Sequence, residues 1–303
     1  MTDSVTVRAA AKVNLHLGVG RPGPDGYHPL ATVYQTLSLH DDVTATTRPR
    51  WAVDLVCEDD IDRDAFPLGE GNIVVRAGRL LAAHHGVDLA AGFTVRKSIP
   101  IAGGLAGGSA DAAAALVALD RLWDLQTSDD ELLSLAGQLG SDVPFALVGG
   151  TALGAGHGEL VTPMLDEATR WWVVVPATKG LSTPAVYRHF DALCPDAPVE
   201  VAVPSELRVA LDDPDNRILA AALCNDLEPA AIDLRPELGE LIEAGERAGA
   251  LRGIISGSGP TCMFLCSDRG SADRVRTALL EGGQLRVLVA LGPVSGTHVV
   301  EYQ

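Results

Sequence analysis

The stretch IPIAGGLAGGSADAAAALVAL, residues 99–119, sets four glycines, one serine and one aspartate between a strand-like and a helix-like segment. Without a Cβ, glycines let backbone N–H groups approach a ligand closely, and a helix start behind them offers unpaired donors at its positive dipole end. That combination suits a polyphosphate. It is not the lysine-bearing P-loop, because no lysine follows these glycines. The one literal G-x-G-x-x-G, Gly18 to Gly23 in GVGRPG, runs into the breakers PDG and starts no helix. The competing reading of the glycine run is a flexible connection, with Ser109 as N-cap and Asp111 in the first turn of the helix.

Other segments must decide between these readings. In AAAKVNLHLGV, strand alternation puts Lys12, Asn14 and His16 on one face and Val13, Leu15 and Leu17 on the other. Lys12 reads either as an edge-strand gatekeeper or as an ammonium aimed at a transferring phosphoryl group. In GSDVPFALVGG, Asp142 follows a helix stop and precedes Pro144 by two residues. It reads as a cap or as a base that takes the proton of an attacking hydroxyl. Tyr27 and His28 in DGYHPL either pack a loop or stack on a ring and bond its edge. SGSGPT, 256–261, is a plain hairpin or a second phosphate contact through backbone N–H groups.

The elements that must position these residues follow from periodicity. Alternating apolar residues in VTVRA, KVNLHLGV, TVYQTLSL and WAVDLVC predict strands. Helices are expected over Asn72–His85, from about Ser109 to Trp123, and from a capping box at Ser128 and Glu131 to a stop at Gly140. In the second half, strands WWVVVP, RGIIS, TCMFLC, RVLVAL and THVVEY alternate with helices near Thr183–Cys194, Arg217–Cys224, Glu237–Ala248 and Ser271–Leu280. The order strand, helix, strand, strand, helix, strand resembles a split βαβ sandwich. The segment TPMLDEATR is the expected linker, dividing the 303 residues into 1–163 and 164–303.

Composition narrows the partners. A net charge of −17 argues against non-specific nucleic-acid binding and docking on anionic lipid, both of which need a basic face. Any bound anion must be held by local groups, which makes the three lysines, Lys12, Lys97 and Lys179, informative. Five scattered cysteines without C-x-x-C spacing read as reduced, mostly buried thiols rather than a disulfide or zinc framework. The glycines and Asp111 interrupt the opening segment too much for a membrane span, and MTDSVTVRAA shows no secretory signal, so a cytoplasmic location is expected.

Taken in order, AKVNLHLGV, DGYHPLATVYQTL, IPIAGGLAGGSADAA, LGSDVPF, CNDLE and SGSGP resemble the small-molecule kinases of the GHMP superfamily, over nearly the whole chain. The narrower similarity is to its members that phosphorylate a cytidyl diphosphate methylerythritol in the non-mevalonate route to isoprenoid precursors. The resemblance implies an α+β, two-domain GHMP-kinase fold, with a mixed αβ N-terminal domain (ribosomal protein S5 domain 2-like) and a C-terminal split βαβ (ferredoxin-like) domain. It implies Lys12 and Asp142 as catalytic residues, with Asn14 beside them. It gives the ATP phosphates to Pro100, Ile101, Ala102, Gly103, Gly104, Leu105, Ala106, Gly107, Gly108, Ser109 and Ala110, and places Asn72 near adenine. Tyr27 and His28 would hold the cytosine, with Tyr187 of STPAVYRHF as the second aromatic. ATP with Mg²⁺ and a small-molecule acceptor are the implied ligands, for a monomer or weak homodimer. Spacing reveals no protein ligand for the metal, leaving Ser109 and Asp111 as candidates. Ala106 interrupts what is often a longer glycine string, and Ser141 stands where alanine is common.

Overall fold

A computed structural model describes residues 3–57, 63–101, 103–177 and 179–300. Two long strands, β1 (Ser4–Val19) and β2 (Leu30–Arg48), pair antiparallel along nearly their whole length. β3 (Ala52–Cys57) leads through helix α1 (Ile73–His85) to β4 (Ala90–Lys97), which runs parallel to β3 and antiparallel to β2. Helices α2 (Gly107–Trp123), α3 (Asp129–Leu139) and α4 (Val143–Val148) follow, and then the hairpin β5 (Thr151–Ala155) and β6 (Leu160–Met164), which extends β2 on its N-terminal half. The capping box at Ser128 and Glu131 is formed as expected. The alanine run is spent on packing: Ala110, Ala112, Ala113, Ala114, Ala115 and Ala118 are all fully buried, so α2 lies close against β1 and β2.

The second half contains β7 (Arg170–Val175), α5 (Thr183–Leu193), α6 (Ser205–Asp212), α7 (Asn216–Ala222), β8 (Cys224–Asn225), α8 (Glu228–Leu234) and α9 (Pro236–Arg247). It closes with β9 (Arg252–Ile255), β10 (Cys262–Cys266), α10 (Arg269–Glu281), β11 (Leu288–Gly292) and β12 (His298–Val299). Its sheet has the order β11-β7-β10-β9, antiparallel at every step, which is the expected split βαβ arrangement. Two short strands return to the first sheet, where β8 pairs parallel with β1 and β12 pairs antiparallel with it. The strand expected over THVVEY is therefore short and belongs to the first sheet, and its residues 301 and 302 lie outside the described residues.

The segment TPMLDEATR runs from the end of β6 to the start of β7 and holds a fully buried ion pair, Asp166 Oδ1 to Arg170 Nη2 at 3.2 Å, whose guanidinium also donates to Asn216 and to the Leu211 and Asp213 carbonyls. Two expectations are corrected. Among the cysteines only Cys262 and Cys266 are buried, while Cys194 and Cys224 are exposed. The strict alternation read along β1 breaks at a bulge between Asn14 and His16, where Leu15 is the extra residue: Asn14 pairs with Tyr34, His16 with Val33 and Leu17 with Thr32. Leu17 thereby shares the face of Lys12 and Asn14, and His16 turns to the opposite one. There its imidazole is buried without a hydrogen-bond partner, and burial lowers its pKa against the opposing charge of Asp226. No helix among the described residues is long and apolar enough to cross a membrane.

CNDLE has a structural role. Leu17 pairs with Asn225 of β8, and the Asn225 amide donates to the carbonyls of Ile255 and Gly257, both at 2.8 Å. This residue ties the SGSGP turn to β1.

Candidate active site

A cavity of about 610 Å³ opens between the two sheets, walled by β1, the glycine run, the start of α4, α5 and the SGSGP turn. Lys12 and Asn14 point into it from β1. The Lys12 ammonium donates to Asn14 Oδ1 (2.7 Å), and Asn14 Nδ2 donates to Thr32 Oγ1 (2.8 Å), whose hydroxyl donates to the His16 carbonyl (2.7 Å). At 5 % exposure, paired with Thr36 of β2 on one side and bonded through its N–H to the Leu105 carbonyl on the other, Lys12 is not an edge gatekeeper. Burial lowers its pKa, and the charge of Asp142 opposes that shift.

Asp142 sits at the N-cap of α4 but makes no capping bond with its side chain. Its carboxylate instead turns to the cavity, where Oδ2 lies 3.7 Å from the Lys12 ammonium and Oδ1 accepts the Tyr34 hydroxyl at 3.0 Å. The Tyr34 ring stacks on Phe145 with centroids 4.7 Å apart, which fixes the hydroxyl. Burial and the Asp142 charge hold Tyr34 well above its ordinary pKa, so it remains a donor.

The glycine run is clamped from both sides. The Lys12 N–H donates to the Leu105 carbonyl (3.1 Å), the Thr261 N–H to the Gly103 carbonyl (3.3 Å), and Ser256 Oγ to the Gly104 carbonyl (3.0 Å). α2 begins at Gly107, two residues before the expected Ser109 cap, and Ala106, its N-cap, has φ +57° and no side-chain cap bond. The first-turn N–H groups therefore meet no capping side chain and face the cavity, as an anion site requires. Pro100, Ile101, Gly103, Gly104, Ala106, Gly107, Gly108 and Ser109 line it, whereas Leu105 and Ala110 turn their side chains into the core. Ala102 lies outside the described residues. Gly104 has φ +79°, and a Cβ there would lie 2.3 Å from the Ser256 carbonyl oxygen. Gly104→Ala is expected to weaken ATP binding about tenfold and to cost about 1–2 kcal/mol of stability through the left-handed backbone. Nucleotide titration and thermal melting check this, and unchanged ATP affinity would refute it.

Behind the run lies a buried triad that the sequence reading did not assign. Lys97 donates to Asp41 and, at 2.8 Å, to Asp111, and Asp41 Oδ1 accepts the N–H groups of Ser98 (2.7 Å) and Ile99 (2.9 Å). Burial opposes the Lys97 charge, but Asp111 and Asp41 outweigh it and raise its pKa. Burial pushes the Asp111 carboxyl up, with Lys97 opposing and Asp41 adding to the shift. Asn72 caps α1, accepting the Val74 N–H (2.9 Å) and donating to the Pro67 carbonyl (2.7 Å), and lines the same cavity.

On the opposite wall, Tyr187 of α5 lines the cavity with its ring 4.8 Å from that of His28, whose Nε2 is 2.8 Å from Asp191 Oδ1. Burial and the Asp142 charge push the Tyr187 phenol up to about 12. Tyr27 is not part of this cluster. The residue is 65 % exposed, and its ring packs on that of His157 at 5.2 Å. Thr183 and Ser258 bridge α5 to the second glycine turn through hydroxyls 2.8 Å apart. Among the described residues no group of three or more histidines, cysteines and acids is placed to hold a metal ion.

Tyr34, Asp41, Lys97 and His157 are the site residues missed from sequence. Lys97 had a signal in the scarcity of lysine, whereas Tyr34 meets Asp142 across 108 residues and no local pattern marks it.

Comparison with known proteins gives the family. The GHMP kinases N terminal domain matches residues 72–150, and GHMP kinases C terminal matches residues 207–284. The chain is 63 % identical over 299 residues to the 4-diphosphocytidyl-2-C-methyl-D-erythritol kinase of Nocardioides sp., covering 98 % of this chain and 100 % of that one. A crystal structure of 4-(cytidine 5'-diphospho)-2C-methyl-D-erythritol kinase superposes with a TM-score of 0.77 at 31 % identity, over 95 % of this chain and 99 % of that one. Homoserine kinase from Cytophaga hutchinsonii, at 20 % identity and a TM-score of 0.75 over 99 % of this chain and 98 % of that one, shares the fold.

Proposed function

This chain belongs to the GHMP kinases, in the 4-diphosphocytidyl-2-C-methyl-D-erythritol kinase family, and from that premise we propose that it transfers the γ-phosphoryl group of ATP to the 2-hydroxyl of 4-diphosphocytidyl-2-C-methyl-D-erythritol. The products are the 2-phosphate and ADP. The observation that carries the catalytic assignment is the facing of Lys12 and Asp142, 3.7 Å apart, between an uncapped helix start and an aromatic wall.

Asp142 takes the proton of the acceptor hydroxyl as its oxygen attacks the γ-phosphorus, and ADP departs with the electrons of the broken P–O bond. Tyr34 occupies Asp142 Oδ1 and so leaves Oδ2 as the accepting oxygen. The Lys12 ammonium, held by Asn14, stabilises the charge on the transferring group. The first-turn N–H groups of α2 hold the phosphates, and Asn72 borders the base. Tyr187 and His28 form the cytosine end, with Tyr27 closing from the rim. The Ser109 hydroxyl at the start of α2 is the side chain that would help hold Mg²⁺, which would supply neutralisation of the triphosphate charge. Asp111 fits poorly as a ligand although its Oδ1 has no partner, because the Lys97 ammonium on its other oxygen opposes a second cation.

A coupled ADP-release assay over an acceptor panel tests this reading. ADP release should require the cytidyl diphosphate acceptor, and CDP should compete for its site. Release with mevalonate or homoserine instead, indifferent to CDP, would overturn it.

A further inference from the structure

We propose that Glu228 is a positioning residue for phosphoryl transfer, holding the second glycine turn, 256–260, in register with Lys12 and the glycine run. This role rests on the reading above of Lys12 and the glycine run as the groups that handle ATP.

β9 stands at the end of its sheet, bonded to β10 on one side. Among the described residues no strand pairs with its other side, where two carboxylates take its N–H groups instead. Glu246 Oε1, from α9, accepts the Gly253 N–H at 2.9 Å, and Glu228 Oε2, from the first residue of α8, accepts the Ile255 N–H at 2.8 Å. Arg252 lies between them, 3.5 Å from Glu246 Oε1 and 3.4 Å from Glu228 Oε1. The two glutamates thus serve one edge and share one cation, but only Glu228 grips the end that enters the turn.

Ile255 is fully buried, and its carbonyl accepts the Asn225 amide at 2.8 Å. The next residue, Ser256, donates through Oγ to the Gly104 carbonyl at 3.0 Å and through its N–H to the Thr261 carbonyl at 3.0 Å. One residue further on, a Cβ at Gly257 would lie 3.3 Å from the Lys12 ammonium. The bond to Glu228 is therefore one residue from the clamp on the glycine run and two from the reacting centre. A buried N–H left without an acceptor is costly, and this one regains a partner only if the end of β9 moves toward water. That movement carries Ser256 and Gly257 with it, and misplacement by about 1 Å at reacting groups slows a reaction by up to about a hundredfold. The same loss at Gly253 falls two residues further from the turn and leaves it in place.

The test compares Glu228→Ala, Glu228→Gln and Glu246→Ala by steady-state ADP release, at a temperature where circular dichroism shows each variant folded. Expected for Glu228→Ala are a kcat lowered about tenfold and a KM for ATP raised about fivefold. Glu228→Gln keeps an accepting oxygen and should restore most of both. Glu246→Ala should lower the melting temperature about as much as Glu228→Ala while keeping wild-type kinetics. Wild-type kinetics in Glu228→Ala, equal kinetic losses in Glu246→Ala, or a Glu228→Gln as impaired as Glu228→Ala each overturn the proposal. Should Glu228→Ala fail to fold, Glu228→Asp, which keeps the charge near Arg252 but withdraws the oxygen by one methylene, carries the same expectations and the same refutations. Wild-type enzyme that releases no ADP with the cytidyl acceptor would instead remove the functional reading, and this inference with it.

Discussion

Replacing Asp142 with asparagine is expected to lower kcat by about two to four orders of magnitude while leaving ATP affinity within a few-fold of the wild type. Asparagine preserves the size of the side chain and can still accept the Tyr34 hydroxyl, so the packing of Tyr34 on Phe145 should persist. What it loses is the carboxylate oxygen 3.7 Å from Lys12 that takes the proton. The ammonium also loses its counter-charge, so the charge it presents to the transferring phosphoryl group is less well held at high pH. ATP is gripped elsewhere, by the start of α2 and the clamped glycine run, which is why binding and turnover should separate. Steady-state ADP release measured beside calorimetric nucleotide titration reads both quantities, and near-normal turnover would end the assignment of Asp142 as base.

Lys97→Met is expected to have the largest effect on stability, about 3–5 kcal/mol, because it strands two carboxylates in the core. The pair lies under the entrance to the glycine run: Asp41 holds the N–H groups of Ser98 and Ile99, immediately ahead of Pro100. Weaker ATP binding should therefore accompany the lower melting temperature. Neutralising both partners in Lys97→Met/Asp41→Asn/Asp111→Asn should recover much of the loss, as the penalty comes from unpaired charge rather than from lost attraction. By contrast, the exposed pair Arg247–Glu243 contributes about 0.2–1 kcal/mol by the same physics. Denaturant melts of the single and triple variants decide the matter, and a single variant within about 1 kcal/mol of the wild type would refute it.

Much of the site was legible because its chemistry is locally unusual. A glycine run between a strand and a helix, a lysine and asparagine alternating on a strand, and an aspartate before x-Pro each stand out against a chain with only three lysines. The helix bounded by Ser128 and Gly140 was legible for a similar reason, since its caps are written within a few residues. The bulge at Leu15 was not, because apolar and polar residues alternate straight through it and only the partner strand reveals the slip. Nor were α4, α6 and α8, whose six to eight residues show too little periodicity to separate from loops. The Asp41–Lys97 contact spans 56 residues, and Tyr34–Asp142 spans 108. For such pairs sequence says only that a polar group exists, and partnership emerges when the sheet brings distant segments together.

Asn225 gives this last point a mechanical meaning. Its amide joins the carbonyls of Ile255 and Gly257 while its strand is hydrogen bonded to β1 at Leu17, three residues beyond Asn14. A Cβ at Gly257 would lie 3.3 Å from the Lys12 ammonium, so the turn that Asn225 holds borders the reacting centre directly. The sheets are thus keyed to one another at the place where the reagents meet. Neither can slide past the other without breaking bonds next to Lys12, and alignment of donor and acceptor is a property of the joined chain that neither half carries alone.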